Sequence, residues 1–418
     1  MAVEHATSMS SAEIVALSRA HTFFSWSIQG ALDPIAIDHA EGIYLYTPEG
    51  KRIIDFNSQL MSVNIGHGDR RVIDAIAAQA TKLQYVQPAF TTEIRARLGA
   101  KLAEILPGDL DKVFFTLGGA EAIENAIKFA RHFTGRHKIL ARYRAYHGAT
   151  LGAMTLTGDP RPVAESLQGL EDVIRYEGPH TIAAVFLETI VGTNGILIPP
   201  DGYIAGVREI CDRYDILMVA DEVMAGFGRT GRWFAVDNWD TVPDLMTMAK
   251  GLTSSYLPLG AVAMRHAIAE AFESKMFYGG LTYSSHPVSL AASLATIGVY
   301  EEDDLIGNAA RLGPVMRRHH EALAAKHPSV GAHRNLGLFG IIELVRSHDP
   351  WTPMTPFNGT SDEMKAVGGY LREHGLYTMI SNNGIHTNPP LCITEEQLGE
   401  AFAIIDGALD RADEAVKA

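Results

Sequence analysis

The chain has 418 residues, of which 47% are hydrophobic and 20% are charged, and this length predicts a large core divided between about two or three lobes. Its 49 acidic and 35 basic residues give a formal net charge of −14, which disfavours binding to the phosphates of nucleic acids. Cys211 and Cys392 lie far apart in the sequence, which excludes a disulfide framework or a cysteine-rich zinc site and fits a reducing cytoplasm. No apolar run reaches the roughly 20 residues that span a bilayer, so we expect neither a signal peptide nor a membrane segment.

The first elements predicted along the chain form a β-hairpin. Residues 43–46 are extended, residues 47–50 (TPEG) read as a turn, and residues 52–56 resume the extended pattern. From Asp69 onward, helical stripes alternate with short apolar strands. The apolar spacing predicts helices at 72–80, 98–106 and 121–131, and strands at 112–116, 138–142, 182–187, 216–220 and 245–248.

Several predicted strands are continuous apolar runs, which is typical of strands buried on both faces of a mostly parallel sheet. After about residue 305 the pattern changes to long polar helices, a strand-like segment at 337–342 and a last helix from Glu395 to the C-terminus. We therefore predict an α/β fold with a large, doubly wound domain over residues 65–305. A smaller α+β domain would combine residues 1–64 with residues 306–418, so that the N-terminal hairpin packs with the C-terminal lobe.

Ligands in a doubly wound sheet bind beyond the carboxyl ends of the strands, so the residues after each strand indicate function. Gly118, Gly119 and Ala120 follow the strand at 112–116 and lead into a strong helix. The exposed backbone amides at such a helix start suit a phosphate group. A plain glycine turn is the alternative interpretation.

Two ionisable residues directly follow apolar strands. Asp221 ends one run, and a carboxylate buried there needs a cation or a ligand nitrogen as its partner, although a structural ion pair is an alternative. Lys250 ends another run, so we expect its amine to be desolvated, with a lowered pKa, or covalently engaged.

Tyr146 and His147 precede Gly148 and offer an aromatic face, although ordinary packing of Tyr146 and a structural role for His147 are alternatives. A phosphate cradle, an aromatic face, a strand-end aspartate and a buried lysine together specify pyridoxal 5′-phosphate. Its aldehyde needs a lysine, its ring nitrogen needs a carboxylate and its phosphate needs amide donors. This set requires no metal.

Residues 226–231 (GFGRTG) match a dinucleotide-binding fingerprint, but no convincing helix follows them.

Longer motifs make the sequence similar to the class III aminotransferases. This group has pyridoxal-phosphate fold type I and contains ω-amino acid, amine, β-alanine and taurine transaminases. The motifs that carry the resemblance are residues 221–231 (DEVMAGFGRTG), 248–252 (MAKGL), 146–148 (YHG), 282–287 (TYSSHP), and Glu188 followed by Gly192 and Gly195.

The resemblance implies a role for each site residue. Lys250 would bond to the cofactor aldehyde and Asp221 would pair with the ring nitrogen, which makes these two the catalytic residues. The other cofactor-binding residues would be Gly118, Gly119 and Ala120 at the phosphate, Val223 and Tyr146 on the two ring faces, His147, Glu188 near the ring and substrate, and Thr282 at the phosphate in the neighbouring subunit. The substrate pocket would contain Trp26, Leu60, Met61 and Tyr146, with plain core packing as the alternative for Trp26 and Met61. The family works as a homodimer or a dimer of dimers.

Two departures from the family pattern affect ligand binding. Residues 118–120 (GGA) replace a Ser-Gly-Ser stretch, so backbone amides and Thr282 would have to hold the phosphate without those hydroxyl donors. Met379 stands near the position where many members carry an arginine that binds the substrate carboxylate.

The resemblance implies a ping-pong transamination from an amine or ω-amino acid to a 2-oxo acid, with pyruvate or 2-oxoglutarate as the acceptor. A decarboxylase or aminomutase on the same fold is one alternative. A non-catalytic cofactor-binding module is another, although the chain retains both Lys250 and Asp221 and has no basic helix-turn-helix segment.

Overall fold

The computed structural model describes residues 9–142, 144–156 and 166–416. In chain order, the strands within these residues are β1 (His39–Glu41), β2 (Tyr44–Tyr46), β3 (Arg52–Asp55), β4 (Lys112–Thr116), β5 (Lys138–Ala141), β6 (Ile182–Glu188), β7 (Leu217–Asp221), β8 (Leu245–Met248), β9 (Gly260–Met264), β10 (Val330–Leu336), β11 (Phe339–His348), β12 (Trp351–Pro353), β13 (Leu376–Tyr377), β14 (Ile380–Ser381) and β15 (Gly384–Thr387).

The α-helices of the described residues surround these strands. They are α1 (Ser11–His21), α2 (Ser58–Met61, a single distorted turn), α3 (Arg70–Lys82), α4 (Glu93–Ile105), α5 (Gly119–Thr134), α6 (Leu151–Thr155), α7 (Ser166–Glu177), α8 (Tyr203–Arg213), α9 (His266–Glu270), α10 (Pro287–Glu302), α11 (Leu305–Lys326), α12 (Asp362–Glu373) and α13 (Glu395–Asp413). No helix in the described ranges is long and apolar enough to cross a membrane.

The central sheet has six strands in the order β4-β9-β8-β7-β6-β5. Strands β5 to β8 run parallel to one another, whereas β9 is antiparallel to both β4 and β8. Along β6, Ala184 and Phe186 pack in a cluster with α5, and Val185 and Leu187 pack in a cluster with α8. The mostly parallel sheet with both faces buried is therefore confirmed, because the continuous apolar runs supply side chains to both faces.

Strand β9 is an element that the sequence reasoning missed. Its residues, GAVAM, are mostly small and carry a weak strand signal. Gly260 opens the strand at a close approach of two backbones, because a Cβ atom there would lie only 2.4 Å from the carbonyl oxygen of Gly118. This contact fixes the start of α5 against the sheet.

The smaller lobe contains two further sheets. The hairpin of β2 and β3 is confirmed, and Ile54 of β3 pairs in parallel with Leu376 of β13, which joins the N-terminal segment to the C-terminal part of the chain as expected. The strand predicted at 337–342 is partly wrong, because Gly337 has φ +57° and forms the turn between β10 and β11. Apolar residues continue through this turn, so the hydrophobic pattern of the sequence does not reveal it. The domain boundaries at residues 64 and 305 stay predictions.

The predicted helices are confirmed with small shifts at their ends. The helices at 72–80 and 98–106 correspond to α3 and α4, which are N-capped by the side chains of Asp69 and Thr92. The last helix, α13, begins with a capping box at Thr394 but ends at Asp413, before the C-terminus.

The loop after β7 continues without an α-helix as far as β8, so the glycine motif at 226–231 lacks the helix that a dinucleotide site needs.

Arg229 in this loop connects three parts of the chain. Its guanidinium is fully buried and donates hydrogen bonds to Asn64 Oδ1 and Ser58 Oγ at 2.9 and 3.1 Å, and to the carbonyl oxygens of Leu338 and Pro389. Burial lowers the pKa of Arg229 to about 10. The N-terminal segment and the C-terminal lobe are thereby anchored to the loop that leads from Asp221 towards Lys250.

Candidate active site

Three polar side chains lie in register across neighbouring parallel strands. Glu188 of β6 is the partner of Asp221 of β7, and Asp221 is the partner of Thr247 of β8. Lys250 follows β8 at the same edge of the sheet. The sequence placed these ionisable groups at strand ends, and the parallel register brings them to one carboxyl-terminal edge.

Asp221 is buried, with 4% of its surface exposed, and three donors hold its carboxylate. Its Oδ1 accepts hydrogen bonds from the Val223 amide at 3.0 Å and from Thr247 Oγ1 at 3.2 Å, and its Oδ2 lies 2.7 Å from His147 Nδ1. These contacts fix the orientation of the carboxylate before any ligand binds. They also give His147 a defined role as the partner of Asp221.

His147 is completely buried behind this carboxylate. Burial alone would lower its pKa, but the hydrogen bond and charge of Asp221, with the charge of Glu188, outweigh burial and raise the pKa above its usual value. Its Nε2 is buried without a hydrogen-bond partner among the residues that the structure describes. A protonated imidazole would donate its Nδ1–H to Asp221 Oδ2.

Lys250 occupies a strained and desolvated position. Its backbone has φ +41°, in the left-handed region that residues other than glycine rarely adopt. Burial lowers the pKa of its amine, and the negative charges of Asp221 and Glu188 only partly oppose this effect. This direction agrees with the expectation for Lys250, and its role in catalysis stays a prediction.

Glu188 organises the residues around Tyr146. Its two carboxylate oxygens accept hydrogen bonds from the backbone amides of Tyr146 and Gly192 at 2.8 and 2.9 Å. Because Glu188 is buried, its pKa is raised above the usual range. The tyrosine segment and the turn after β6 are thus tied to the same carboxylate.

The predicted phosphate cradle lies at the start of α5. Gly118 is the N-cap residue and provides no side-chain hydrogen bond, so the first-turn amides have no side-chain cap. A Cβ atom at Gly119 would lie 2.9 Å from Val223 Cγ1, and one at Gly148 would lie 2.7 Å from Ala120 Cβ. The glycines therefore let the helix start pack directly against the Val223 loop and the tyrosine segment.

The residues expected in the substrate pocket occupy two different environments. Trp26 and Leu60 are 85% and 66% exposed, and the Trp26 ring meets the Tyr146 ring edge to face at 6.0 Å between centroids. Met61 is buried in an apolar cluster with Ile190 and Ile196, and Met379 packs against the same cluster. Met61 is thus buried, whereas Trp26 lies beside Tyr146, and the substrate-pocket roles of these residues stay predictions.

Thr282 lies on the surface of the described chain. Its carbonyl oxygen accepts a hydrogen bond from the Tyr85 hydroxyl at 2.9 Å. Its proposed contact with a neighbouring subunit's cofactor stays a prediction.

Two residues of the site were missed by the sequence reasoning. Thr247 is the polar residue within the apolar run of β8, and this exception was the available signal. Glu222 is fully buried and accepts hydrogen bonds from Thr189 Oγ1 at 2.7 Å and from the amides of Ala235 and Val236, both at 2.9 Å. Glu222 thereby folds the loop after Asp221 back onto the end of β6.

The family model for class-III aminotransferases matches residues 29–170 and 163–409. The chain belongs to this family. A probable aminotransferase of Mycobacterium tuberculosis is 36% identical over 91% of this chain and 90% of its own length. A putrescine–pyruvate aminotransferase of Pseudomonas aeruginosa is 32% identical over 91% of this chain and 92% of its own length.

Solved structures agree with this assignment. The taurine:2-oxoglutarate aminotransferase of Bifidobacterium kashiwanohense, in complex with pyridoxal phosphate and glutamate, superposes with a TM-score of 0.94 at 36% identity, covering 98% of this chain and 99% of that one. An (S)-enantioselective ω-transaminase of Thermomicrobium roseum gives a TM-score of 0.91 at 33% identity, covering 98% and 100%. The chain is therefore a pyridoxal-phosphate-dependent aminotransferase of fold type I.

The residues at the strand ends fit this cofactor. The uncapped amides at the start of α5 suit its phosphate, and Asp221 with its buried His147 partner suits a protonated ring nitrogen. Lys250 offers a desolvated amine for the aldehyde. Residues 118–120 carry no hydroxyl side chain, so the donors there would have to be backbone amides.

Glu222 predicts a pH dependence of stability. Burial raises its pKa from about 4.5 to about 7, so its contribution to stability is fully present below about pH 4.5 and is lost as the pH rises through 7. We expect the wild type to lose up to about 3 kcal/mol of unfolding free energy over this range relative to the Glu222→Gln variant. Denaturant titrations at several pH values measure this difference. The exposed Glu209→Gln is the control for the change of charge, and a difference for Glu222→Gln that rises with pH would contradict the prediction.

Proposed function

We propose that this enzyme transfers an amino group from an amine or ω-amino acid with an apolar body to a 2-oxo acid, with pyruvate or 2-oxoglutarate as acceptor, in a ping-pong cycle. The observation that carries the proposal is the desolvated Lys250 amine at the same sheet edge as the Asp221–His147 pair. When bound, pyridoxal phosphate supplies an electron-withdrawing ring that stabilises negative charge on the carbon next to the substrate nitrogen.

Asp221 would keep a proton on the ring nitrogen of the cofactor. Its carboxylate is oriented by Val223, Thr247 and His147, and therefore needs little reorganisation when charge develops. The contact of His147 Nδ1 with Asp221 Oδ2 at 2.7 Å supports this role, because it holds the carboxylate from behind.

Lys250 would serve as the nucleophile and the proton carrier. A lowered pKa leaves more of its amine in the neutral form, so Nζ would be the group that holds the cofactor through its aldehyde and that accepts and returns a proton during turnover.

The donor class is supported by the side chains around the cleft. Trp26 and Leu60 expose large apolar surfaces, and Met379 replaces the arginine that would bind a donor carboxylate. Two relatives named above act on putrescine and on taurine, donors with an amino group at the end of an alkyl chain. We therefore favour such donors over a short α-amino dicarboxylate.

Replacing Lys250 tests the assignment of the reactive amine. In Lys250→Ala, we expect no covalent pyridoxyl group after borohydride reduction and a fall in turnover of more than about 100-fold, because both the nucleophile and the proton carrier are lost. Mass spectrometry of the reduced protein and a steady-state assay measure the two effects. The exposed Lys275→Ala should match the wild type, and repeated turnover by Lys250→Ala would refute the assignment.

A donor panel tests the substrate class. We expect 1-phenylethylamine, β-alanine, taurine or putrescine, each added alone, to convert the bound cofactor more effectively than glutamate does, because no arginine stands at Met379 to bind an α-carboxylate. Stopped-flow spectra of the half-reaction measure the conversion. Activity confined to glutamate would contradict the proposed donor class, and product formation with carbon dioxide release or without any oxo acid would favour a decarboxylase or aminomutase.

We further propose a homodimer, or a dimer of dimers, in which Thr282 reaches the phosphate of the partner's cofactor. The exposure of Thr282 and of the neighbouring Tyr283 side chain supports this arrangement. We expect sedimentation equilibrium to give at least twice the chain mass, and a stable, active single chain would contradict it. A cytoplasmic location stays a prediction.

A further inference from the structure

Residues 23–28 form an exposed loop that carries three large apolar side chains. Phe23, Trp26 and Ile28 are all strongly exposed. The backbone of Trp26 has φ +54°, in the left-handed region that a bulky residue rarely adopts. Such a conformation persists only when the surrounding contacts hold it, and it is found most often at functional sites.

The side chain of Gln29 closes this loop. Its Oε1 accepts a hydrogen bond from the backbone amide of Phe24 at 3.1 Å, and its Nε2 donates to the carbonyl oxygens of Phe24 and Ser27 at 2.7 and 3.1 Å. One side-chain amide thus satisfies backbone groups on both sides of Trp26. Because no side chain within the described residues 24–29 is buried, these hydrogen bonds fix the path of the loop.

The loop presents Trp26 to the tyrosine segment of the active site. The ring centroids of Trp26 and Tyr146 lie 6.0 Å apart at an interplanar angle of 67°, an edge-to-face contact. The Tyr146 amide donates to Glu188 Oε1 at 2.8 Å, and the next residue, His147, contacts Asp221 Oδ2 at 2.7 Å. Direct contacts therefore connect Trp26 to the site, while most of its ring stays exposed.

We propose that Gln29 is a positioning residue that holds the Trp26 ring beside Tyr146, where the ring contacts the apolar body of the amine donor. This inference rests on the proposed function, because it names what selects donors for that reaction. An exposed indole favours a flat aromatic body, which buries apolar surface against it, over a short chain such as that of β-alanine. Gln29 acts on donor binding through Trp26 and does not contact the donor itself.

Replacing Gln29 tests this role in the cofactor-loaded enzyme. In Gln29→Leu, which has a side chain of similar size without hydrogen-bonding groups, we expect the apparent Kd of 1-phenylethylamine to rise about 5- to 20-fold, because Trp26 no longer stays beside Tyr146. The limiting rate with this donor and the apparent Kd of β-alanine should each change less than about twofold. Half-reaction spectra, with each donor added alone, measure these quantities. Ser27→Ala removes a hydroxyl that donates to the Ser25 carbonyl oxygen within the loop, and should match the wild type.

A double-mutant cycle separates an effect through Trp26 from a general loss of structure. We expect Trp26→Ala to weaken 1-phenylethylamine to a similar extent, and the addition of Gln29→Leu to this variant to weaken it no further. Hydrogen exchange of the Phe24 amide, which Gln29 protects, should be more than about tenfold faster in Gln29→Leu. Gln29→Glu keeps the acceptor for the Phe24 amide but loses both donors, and provides a second variant of intermediate effect if the leucine form does not fold.

Several outcomes would overturn the role of Gln29. Equal losses for 1-phenylethylamine and β-alanine, or additive losses in the double variant, would favour a purely structural role. Unchanged binding of 1-phenylethylamine in Gln29→Leu would also contradict the proposal, as would a wild type that reacts with β-alanine but not with 1-phenylethylamine. A wild type that reacts with no amine donor would instead refute the proposed function, and this inference with it.

Discussion

The burial of three carboxylates at one edge of the central sheet constrains the rest of this structure. Glu188, Asp221 and Glu222 are at most 4% exposed, and a buried carboxylate is costly unless several donors surround it. The donors come from other parts of the chain: the tyrosine segment, the turn after β6, strand β8 and the loop that leads to β8. Satisfying the carboxylates therefore requires these segments to meet at the same place, and their meeting forms the active site.

The same constraint accounts for the chemistry available to Lys250. Burial lowers the pKa of the amine, while the charges of Asp221 and Glu188 limit that effect. His147 lies behind Asp221, and the hydrogen bond between them raises the pKa of the imidazole although burial opposes this effect. The site thus combines an amine of lowered pKa with a carboxylate that several donors orient. Arg229 connects this arrangement to the smaller lobe through neutral acceptors.

The elements with the strongest sequence signals were predicted well. Strands β6 to β8 are apolar runs whose burial on both faces follows from their composition, and α3 and α4 begin at capping residues visible in the sequence. Strand β9 was missed because small residues such as those after Gly260 have little strand preference. The turn at Gly337 was missed because apolar residues continue through it, and periodicity cannot register a change of direction.

The sequence by itself determined the class of fold, the positions of Asp221 and Lys250 at strand ends and the cofactor that such a set requires, because these depend on local pattern and residue chemistry. Only the tertiary structure decided that His147 partners Asp221, that Glu222 holds a loop and that Met61 packs in the core. It also decided that the loop closed by Gln29 places Trp26 beside Tyr146. Each of these outcomes depends on which side chains meet in space, and this follows from strand register and loop packing rather than from the residue types.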